Sequence, residues 1–278
     1  MMKTRRCAGT IEDLAKAVRE RKAILFVGAG VSRSVGLPSW ETLIDHIASE
    51  LGLNERRAEN GVNHLTLAEY YRLKKGSLGA LRSWMDRNWS VSRSEVEKSV
   101  LHRLIVTLDF PIIYTTNYDR NLEVAFEILG KEFVKVANAR DVARAREGVA
   151  QIVKFHGDFD DDDSLVLTET DYYDRLSFDS PLDIKFRADA LGRTILFIGY
   201  SLSDLNIRLL LHRLWQTWKH SGYAKDRPLS FVFMARRDPI EEAVLANWGI
   251  AALSGESDDA QQALTEFLER LTAIVAEA

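Results

Sequence analysis

Short apolar segments alternate with amphipathic ones along most of the chain. The run at 24–27 has no polar alternation, which predicts a strand buried on both faces of a sheet. Further apolar runs predict strands at 111–115, 133–136, 151–155, 165–167, 194–198, 229–234 and 250–253. Segments of crossover length with helical spacing separate these runs. We therefore expect an α/β fold with a Rossmann-like, mostly parallel, doubly wound sheet.

Apolar residues at helical spacing predict helices between the strands. Thr10, with Asp13 three residues later, is a typical helix start, and Ser39 can cap the helix that follows it. Between 53 and 109 the pattern is helical throughout, with helices expected at 65–75, 78–89 and 95–108. We expect one domain over 1–278, with a helical subdomain inserted at 53–109 as a lid or wall over a ligand site.

The composition is that of an ordinary globular protein and excludes several classes. Apolar residues make up 46% and charged residues 28% of the chain. Cys7 is the only cysteine, which excludes an internal disulfide framework and a multi-cysteine zinc site and favours a cytoplasmic location. No signal peptide or membrane span is expected, because no apolar stretch is suitably placed or long enough. The net charge of −4 weighs against strong direct binding to nucleic acid.

A glycine-rich turn follows the first predicted strand. Gly28 and Gly30 lack a Cβ atom, so they can adopt positive φ angles and let a phosphate approach the backbone. The turn is not a Walker A loop, and Arg33 stands where a full G-x-G-x-x-G motif has its third glycine. A tight strand-to-helix turn that binds no ligand stays open as the alternative.

Polar or glycine-containing motifs also follow three other predicted strands. They are Thr116-Asn117-Tyr118-Asp119, His156-Gly157 and Gly199-Tyr200-Ser201-Leu202-Ser203-Asp204. Because the carboxyl ends of parallel strands share one edge of a sheet, we expect these residues to face one ligand site. The acidic run at 158–163 is more typical of a solvated hairpin tip than of a metal site. The histidines other than His156 share no metal-ligand spacing and are expected in packing or surface roles.

Taken in order, these motifs resemble those of the sirtuin family, in the form found in bacterial antiviral defence. The resemblance extends over about 24–253 and includes Gly28-Ala29-Gly30-Val31-Ser32, Gly36-Leu37-Pro38 and Lys154-Phe155-His156-Gly157. It implies an NAD-binding fold that cleaves the bond between nicotinamide and ribose. Cleavage builds positive charge on the ribose, so such a site must hold the ribose, exclude bulk water and position a nucleophile.

The resemblance also implies roles for single residues. Asn117 would order the attacking water, His156 would contact the ribose hydroxyls as general base, and Asp119 would hold the nicotinamide carboxamide. The other cofactor-binding residues that it implies are Gly28, Ala29, Gly30, Ser32, Pro38, Trp40, Thr116, Gly199, Ser201 and Asp204. The alternative is that Asn117 and Asp119 are turn and cap residues and that His156 is a structural histidine.

Two departures from protein-deacylating sirtuins affect the predicted activity. Those enzymes carry a four-cysteine zinc module, which this chain lacks, and Ser39-Trp40-Glu41 stand where their loop continues with Asp-Phe-Arg. Water then becomes the expected acceptor. We expect an NAD hydrolase without zinc, acting as an antiphage-defence effector that depletes cellular NAD. The alternatives are an NAD-dependent protein deacylase or ADP-ribosyltransferase, and a non-hydrolysing NAD or ADP-ribose sensor or scaffold.

An enzyme that destroys NAD has to be held inactive until it is needed. We expect no room for an appended sensor domain, and therefore control through a homo-oligomer or a separate protein. In the family, short chains of this kind work with a HerA-type ATPase or an Argonaute-like protein, and the sequence does not select between them. The apolar stripe with Trp215 and Trp218 is typical of a core helix and also of an oligomer interface.

Overall fold

The first strand lies at the centre of the sheet and is buried on both faces. The computed structural model describes residues 9–38, 40–53, 63–161, 164–200 and 205–277. All five residues of β1 (Ala23–Val27) are buried, and the strand pairs in parallel with a neighbour on each side. Ile24 and Phe26 pack into the core on one face of the sheet, and Leu25 and Val27 pack into the core on the other. The predicted burial on both faces is confirmed.

The strands of the described residues form one sheet in which every neighbouring pair is parallel. The remaining strands are β2 (Ile112–Thr115), β3 (Phe133–Val136), β4 (Ala150–Lys154), β5 (Thr194–Ile198), β6 (Ser230–Met234) and β7 (Ile250–Ser254). Their order is β3-β4-β2-β1-β5-β6-β7. The chain leaves β1 toward β2 and leaves β5 toward β6, in opposite directions. The carboxyl ends of β1 and β5 are therefore the topological switch point, where open α/β sheets bind ligands.

Helices cover both faces of the sheet, which confirms the predicted doubly wound α/β class. The helices of the described residues are α1 (Ile11–Arg19), α2 (Ala29–Arg33), α3 (Trp40–Glu50), α4 (His64–Lys75), α5 (Gly79–Asn88), α6 (Arg93–Lys98), α7 (Val100–Thr107), α8 (Asn121–Ile128), α9 (Ala139–Arg144), α10 (Glu169–Arg175), α11 (Pro181–Leu191), α12 (Leu205–Ser221), α13 (Pro239–Asn247) and α14 (Ala260–Ala276). Helices α1, α7, α8 and α14 pack against Leu25 and Val27. Helices α11, α12 and α13 pack on the opposite face, with Ile24 and Phe26.

A third apolar cluster lies beside the carboxyl ends of β2 and β4. It joins helices α3, α4 and α5 to Tyr118 and Phe159, which follow these two strands. Helix α7, from the same part of the chain as α4 and α5, packs on the sheet beside α14 instead. The helices of 53–109 thus divide between the third cluster and the main core, and the boundaries of an inserted subdomain stay a prediction.

The predicted helix start at Thr10 is confirmed, and two other local predictions are wrong. Thr10 and Asp13 form a capping box at the start of α1. The helix expected at 95–108 is interrupted at Ser99, whose ψ of 107° is extended and whose hydroxyl caps α7 by accepting the His102 N–H at 3.3 Å. The run at 165–167 is not a strand, because its leucines pack into the third cluster. The cap expected at Ser39 lies outside the described residues. None of the described helices is long and apolar enough to cross a membrane.

Candidate active site

The loops after β1, β2, β4 and β5 open into one cavity of about 630 Å³. This volume is within the range of ligand sites, about 300–1,000 Å³. The predicted site residues that line the cavity are Ala29, Gly30, Ser32, Pro38, Trp40, Thr116, Asn117, Asp119, His156 and Gly199. Gly28 stands directly before this lining, and Ser201 and Asp204 lie outside the described residues. The structure therefore brings together residues that are as far apart in the sequence as Ala29 and Gly199.

The side chain of Asn117 is held in one orientation by two hydrogen bonds. Its Nδ2 donates to the Gly28 carbonyl oxygen at 3.1 Å and to Ser32 Oγ at 2.8 Å. A carbonyl oxygen can only accept, so the amide must turn its NH2 group toward Gly28. Both Nδ2 hydrogens are then used, and Oδ1 is the atom left for a ligand. Asn117 is thus an acceptor in this site, whereas the sequence left both donor and acceptor roles open.

The ring of His156 lies at the end of β4 and is almost completely buried, with 3% of the residue exposed. It packs edge-on against Tyr172, with ring centroids 5.4 Å apart. Burial, with the positive charge of Arg175 as the smaller cause, lowers the pKa of His156 to about 3. The imidazole is therefore neutral at pH 7. Its unprotonated nitrogen can accept a hydrogen bond from a hydroxyl group, but it is a weaker base than its ordinary pKa would suggest.

Asp119 uses one carboxylate oxygen for the turn and keeps the other free. Oδ1 accepts the Asn121 N–H at 3.0 Å at the start of α8. Oδ2 is buried and has no hydrogen-bond partner within the part of the chain that the structure describes. A buried acceptor beside a cavity suits an amide N–H of a ligand. The turn role and the binding role of Asp119 are therefore compatible.

The glycine turn after β1 packs directly against the backbone after β5. Gly28 has a φ of −101° and Gly30 lies within α2, so neither glycine uses the positive φ angles that are open to it. A Cβ atom on Gly28 would lie 2.5 Å from the Gly199 carbonyl oxygen, and one on Gly30 would lie 2.9 Å from Gly199 Cα. The glycines are needed because two backbone turns approach each other closely.

The same contact decides which backbone amides can reach a ligand. The Gly28 N–H donates to the Ile198 carbonyl and the Gly30 N–H to the Gly199 carbonyl, both at 2.9 Å. Both of these amides therefore already have acceptors. The Ala29 N–H has none among the described residues, and it lies on the cavity wall. Ala29 and the hydroxyl hydrogen of Ser32 are thus the donors that this turn leaves for a diphosphate.

An aromatic wall, formed by Trp40, His64, Trp89 and Tyr118, bounds part of the cavity. Trp40 is at its centre, with its ring centroid 5.1 Å from His64, 5.4 Å from Trp89 and 6.4 Å from Tyr118. Of these four residues, Trp40 and Tyr118 lie in motifs that were predicted from sequence to face the site. His64 and Trp89 belong to the helical region at 53–109, where helical spacing gave no signal that separates a cavity wall from a core.

Tyr200 lies in one of the predicted motifs, but no individual role was assigned to it. Its hydroxyl group is 2.8 Å from Thr116 Oγ1 and donates to the Val27 carbonyl at 3.2 Å. It therefore links the loops after β1, β2 and β5. The sequence feature that could have identified Tyr200 as a site residue is its position directly after Gly199, at the end of a strand.

Polar side chains join helices α4 and α10 at the edge of the cavity. Glu69 accepts the Thr170 N–H at 3.0 Å and pairs with Arg72 at 2.7 Å, and Arg72 also pairs with Asp171 at 3.1 Å. Burial opposes the ionised form of Glu69, but hydrogen bonds from Thr170 and Arg72 outweigh it and lower its pKa to about 2. We name Glu69, Arg72, Thr170 and Asp171 the α4–α10 strap. Residues of both helices line the cavity.

The acidic run after His156 is not a solvated tip throughout. Asp158 is completely buried and pairs with Lys135 at 3.1 Å. Asp161 accepts a hydrogen bond from Asn138 Nδ2 at 3.0 Å. Outside the masked stretches, no group of three or more His, Cys, Asp or Glu residues is arranged to hold a metal ion.

Fold and site together define a Rossmann-like α/β protein with a ligand cavity at its switch point. The chain belongs to the SIR2-like family, because the model of the SIR2-like domain matches residues 111–253, a little more than half of the chain. The matched region contains Thr116, Asn117, Asp119 and His156, and the resemblance inferred from the motifs is confirmed.

Curated relatives are similar over most of this chain. The NAD(+) hydrolase ThsA of Enterococcus faecium is 34% identical over 205 residues, which are 72% of this chain and 41% of that protein. The protein of the same name from Bacillus cereus (strain MSX-D12) is 30% identical over 230 residues, or 82% and 46% of the two chains. Defense-associated sirtuin 2 of Bacillus subtilis is 29% identical over 283 residues, or 95% and 26%. The chain thus spans less than half the length of these relatives.

A solved structure shares the fold. The crystal structure of a SIR2 homolog–NAD complex aligns with a TM-score of 0.52 and 14% identity, and the alignment covers 95% of each chain.

Proposed function

We propose that this chain hydrolyses NAD. Water attacks the ribose carbon that carries nicotinamide, the bonding electrons leave with the ring nitrogen, and neutral nicotinamide, ADP-ribose and one proton are released. The observation that carries this proposal is the presence of Asn117 and His156 in one cavity, each with an acceptor atom left for a ligand. The names of the relatives from Enterococcus faecium and Bacillus cereus support it.

Each residue of the site has a step in this reaction. Asn117 Oδ1 accepts a hydrogen bond from the water, which turns a lone pair of the water oxygen toward the ribose. The neutral His156 ring accepts a hydrogen bond from a ribose hydroxyl and so fixes the sugar. Asp119 Oδ2 accepts from the carboxamide of nicotinamide. The aromatic wall excludes bulk water, so that charge developing on the ribose meets fixed protein dipoles instead of solvent.

As part of the same proposal, the chain acts in the cytoplasm as an antiphage-defence effector. It depletes NAD when infection is sensed, in the manner of abortive infection. The name of the Bacillus subtilis relative, defense-associated sirtuin 2, supports the defence role. Control comes from a homo-oligomer or from a separate protein, such as a HerA-type ATPase or an Argonaute-like protein. Hydrolysis is therefore measured for the chain alone and for the chain with such a partner added.

The test is to incubate the purified chain with NAD and to measure free nicotinamide and ADP-ribose by chromatography. We expect equimolar release of both products, and a loss of at least about 100-fold in kcat for Asn117→Ala and for His156→Ala. His220→Ala is the matched control, because His220 is exposed at the end of α12, and we expect it to retain full activity.

The other outcomes separate the alternative functions. Nicotinamide release that requires an acylated peptide would identify a deacylase, and transfer of ADP-ribose to protein would identify a transferase. Tight binding of NAD without turnover would identify a sensor. Equally low product release by wild type and both variants in every assembly would rule out hydrolysis.

A further inference from the structure

Lys154, the last residue of β4, is completely buried. A buried ammonium group destabilises the fold unless it has charged or hydrogen-bonding partners. Its Nζ donates to the Tyr118 carbonyl at 3.3 Å and to the Asp119 carbonyl, and it lies 3.3 Å from Glu123 Oε1. Lys154 is not among the cavity-lining residues. It therefore acts on the site through the groups that it holds.

The position of Lys154 connects the two loops that carry the candidate catalytic residues. It precedes His156 by two residues, and in the sheet it is the register partner of Thr115. Thr115 in turn precedes the loop that contains Asn117. The ammonium group reaches from the end of β4 to the carbonyls of Tyr118 and Asp119, the two residues that follow Asn117. It is therefore a physical link between the strand that leads to His156 and the backbone next to Asn117.

We propose that Lys154 is the positioning residue that holds the Asn117 loop in its reactive conformation. This inference rests on the proposed NAD hydrolysis. The two carbonyls fix the backbone after Asn117, and the hydrogen bonds to Gly28 and Ser32 fix its amide. Loss of the ammonium leaves the carbonyls without their buried donor, so the loop moves to satisfy them and carries the amide with it.

A purely electrostatic role is the competing explanation. Lys154 also lies 3.8 Å from the buried carboxylate of Asp158, so it could serve only to neutralise acidic groups. Lys135 on β3 provides a matched comparison. It pairs with Asp158 at 3.1 Å and with Asp160, but the structure shows no hydrogen bond from it to the described part of the Asn117 loop. A charge role predicts similar effects of the two lysines, and a positioning role predicts different ones.

The experiment compares Lys154→Met with Lys135→Met in steady-state NAD hydrolysis. For Lys154→Met we expect kcat to fall about 10- to 100-fold, because small displacements of catalytic groups have effects of this size, while KM changes less than about twofold. For Lys135→Met we expect both constants to stay within about twofold of wild type. An equal fall of kcat in both variants, a change confined to KM, or an unchanged kcat in Lys154→Met would overturn the proposal.

Hydrogen exchange gives a second measurement that does not depend on activity. The amides of Asn117 and Asn121 flank the two carbonyls and are both hydrogen-bonded within the loop. We expect faster exchange at 117–121 in Lys154→Met and wild-type exchange there in Lys135→Met. If wild type proves unable to hydrolyse NAD, the proposed function fails and this comparison still decides the positioning role. Unchanged exchange in Lys154→Met would refute it.

A double variant addresses the possibility that Lys154→Met does not fold. Burial raises the pKa of Glu123, and the Lys154 charge opposes that rise. Lys154→Met combined with Glu123→Gln removes both charges and keeps similar side-chain volumes. We expect this variant to fold, as judged by its thermal melt, and to keep the low kcat, because the carbonyls still lack their donor. Recovery of wild-type kcat would show that charge neutralisation was the role of Lys154.

Discussion

Asn117 and Ser32 share a hydrogen bond that helps decide which end of the amide faces the cavity. Ser32 is 3% exposed, and its Oγ accepts from Asn117 Nδ2 at 2.8 Å. With that oxygen removed, one Nδ2 hydrogen has no acceptor and the amide is held by Gly28 alone. The ordering of the attacking water thus depends on a hydroxyl group outside the predicted catalytic pair.

Ser32→Ala is therefore expected to lower kcat for NAD hydrolysis about fivefold. A net hydrogen bond contributes about 1 kcal/mol, and about 1.4 kcal/mol corresponds to a factor of ten. Steady-state kinetics measures the effect. Ser34→Ala is the control, because the Ser34 hydroxyl donates to the Val31 carbonyl at 2.6 Å in the same segment without contacting Asn117. Equal effects of the two substitutions would contradict this assignment of the Asn117 amide.

Individual site residues could be predicted from sequence where a polar residue directly follows the apolar run of a strand. Asn117 and His156 are of this kind. No role could be predicted for Lys154, because the partners of its ammonium group are backbone carbonyls that no sequence pattern reveals. The orientation of the Asn117 amide and the low pKa of His156 also depend on neighbours that only the fold supplies.

The α4–α10 strap joins two helices that both contribute to the cavity. Glu69 is its central residue, because it holds the Thr170 N–H and Arg72 together. A helix pair joined by a few polar contacts opens more readily than one joined by a buried apolar interface. The strap therefore sets how firmly this edge of the cavity closes.

Glu69→Ala is expected to raise KM for NAD a fewfold and to accelerate hydrogen exchange at 169–175. The variant leaves the Thr170 N–H without its acceptor and Arg72 with Asp171 alone. Exchange mass spectrometry and steady-state kinetics measure the two effects. Glu95→Ala removes an exposed ion pair with Lys98 on α6 and should change neither. Unchanged exchange at 169–175 in Glu69→Ala would show that other contacts hold this edge.

Among the elements, buried strands were the most predictable. Continuous apolar runs predict each strand of the described residues to within one residue at both ends, since strands covered on both faces have no polar alternation. Local chemistry explains the misses. Ser99 ends one helix and caps the next inside an unbroken helical pattern, and the leucines at 165 and 167 are buried beside helices rather than in the sheet. The periodicity of apolar residues does not indicate which element a buried side chain packs against.

The stability of the whole molecule is expected to fall as the pH drops below about 6.5. Burial lowers the pKa of His156 to about 3 and that of His102 to about 4. Unfolding returns both toward about 6.5, so the unfolded chain binds more protons than the folded chain between these values. Stability is therefore fully present above about 6.5 and is lost as the pH falls, by up to about 1.4 kcal/mol per pH unit for each histidine.

Urea unfolding at pH 7.5, 6.5 and 5.5 measures this dependence. His156→Ala should show a shallower loss of stability with falling pH, because one of the two buried histidines is gone. His220→Ala, at an exposed position, should show the wild-type slope. Identical slopes in all three proteins would mean that His156 does not contribute to acid unfolding.

Gly28 and Gly199 meet through their backbones at the switch point, so a methyl group on Gly28 would overlap the Gly199 carbonyl. Neither glycine has a side chain, so a change at one glycine has no compensating side-chain change at the other. As related sequences diverge, the aromatic wall and the strap can vary in response to a new ligand or partner. The two glycines cannot drift in the same way. The backbone contact between the two glycines is thus expected to stay constant among related proteins, while the side chains that determine ligand specificity vary.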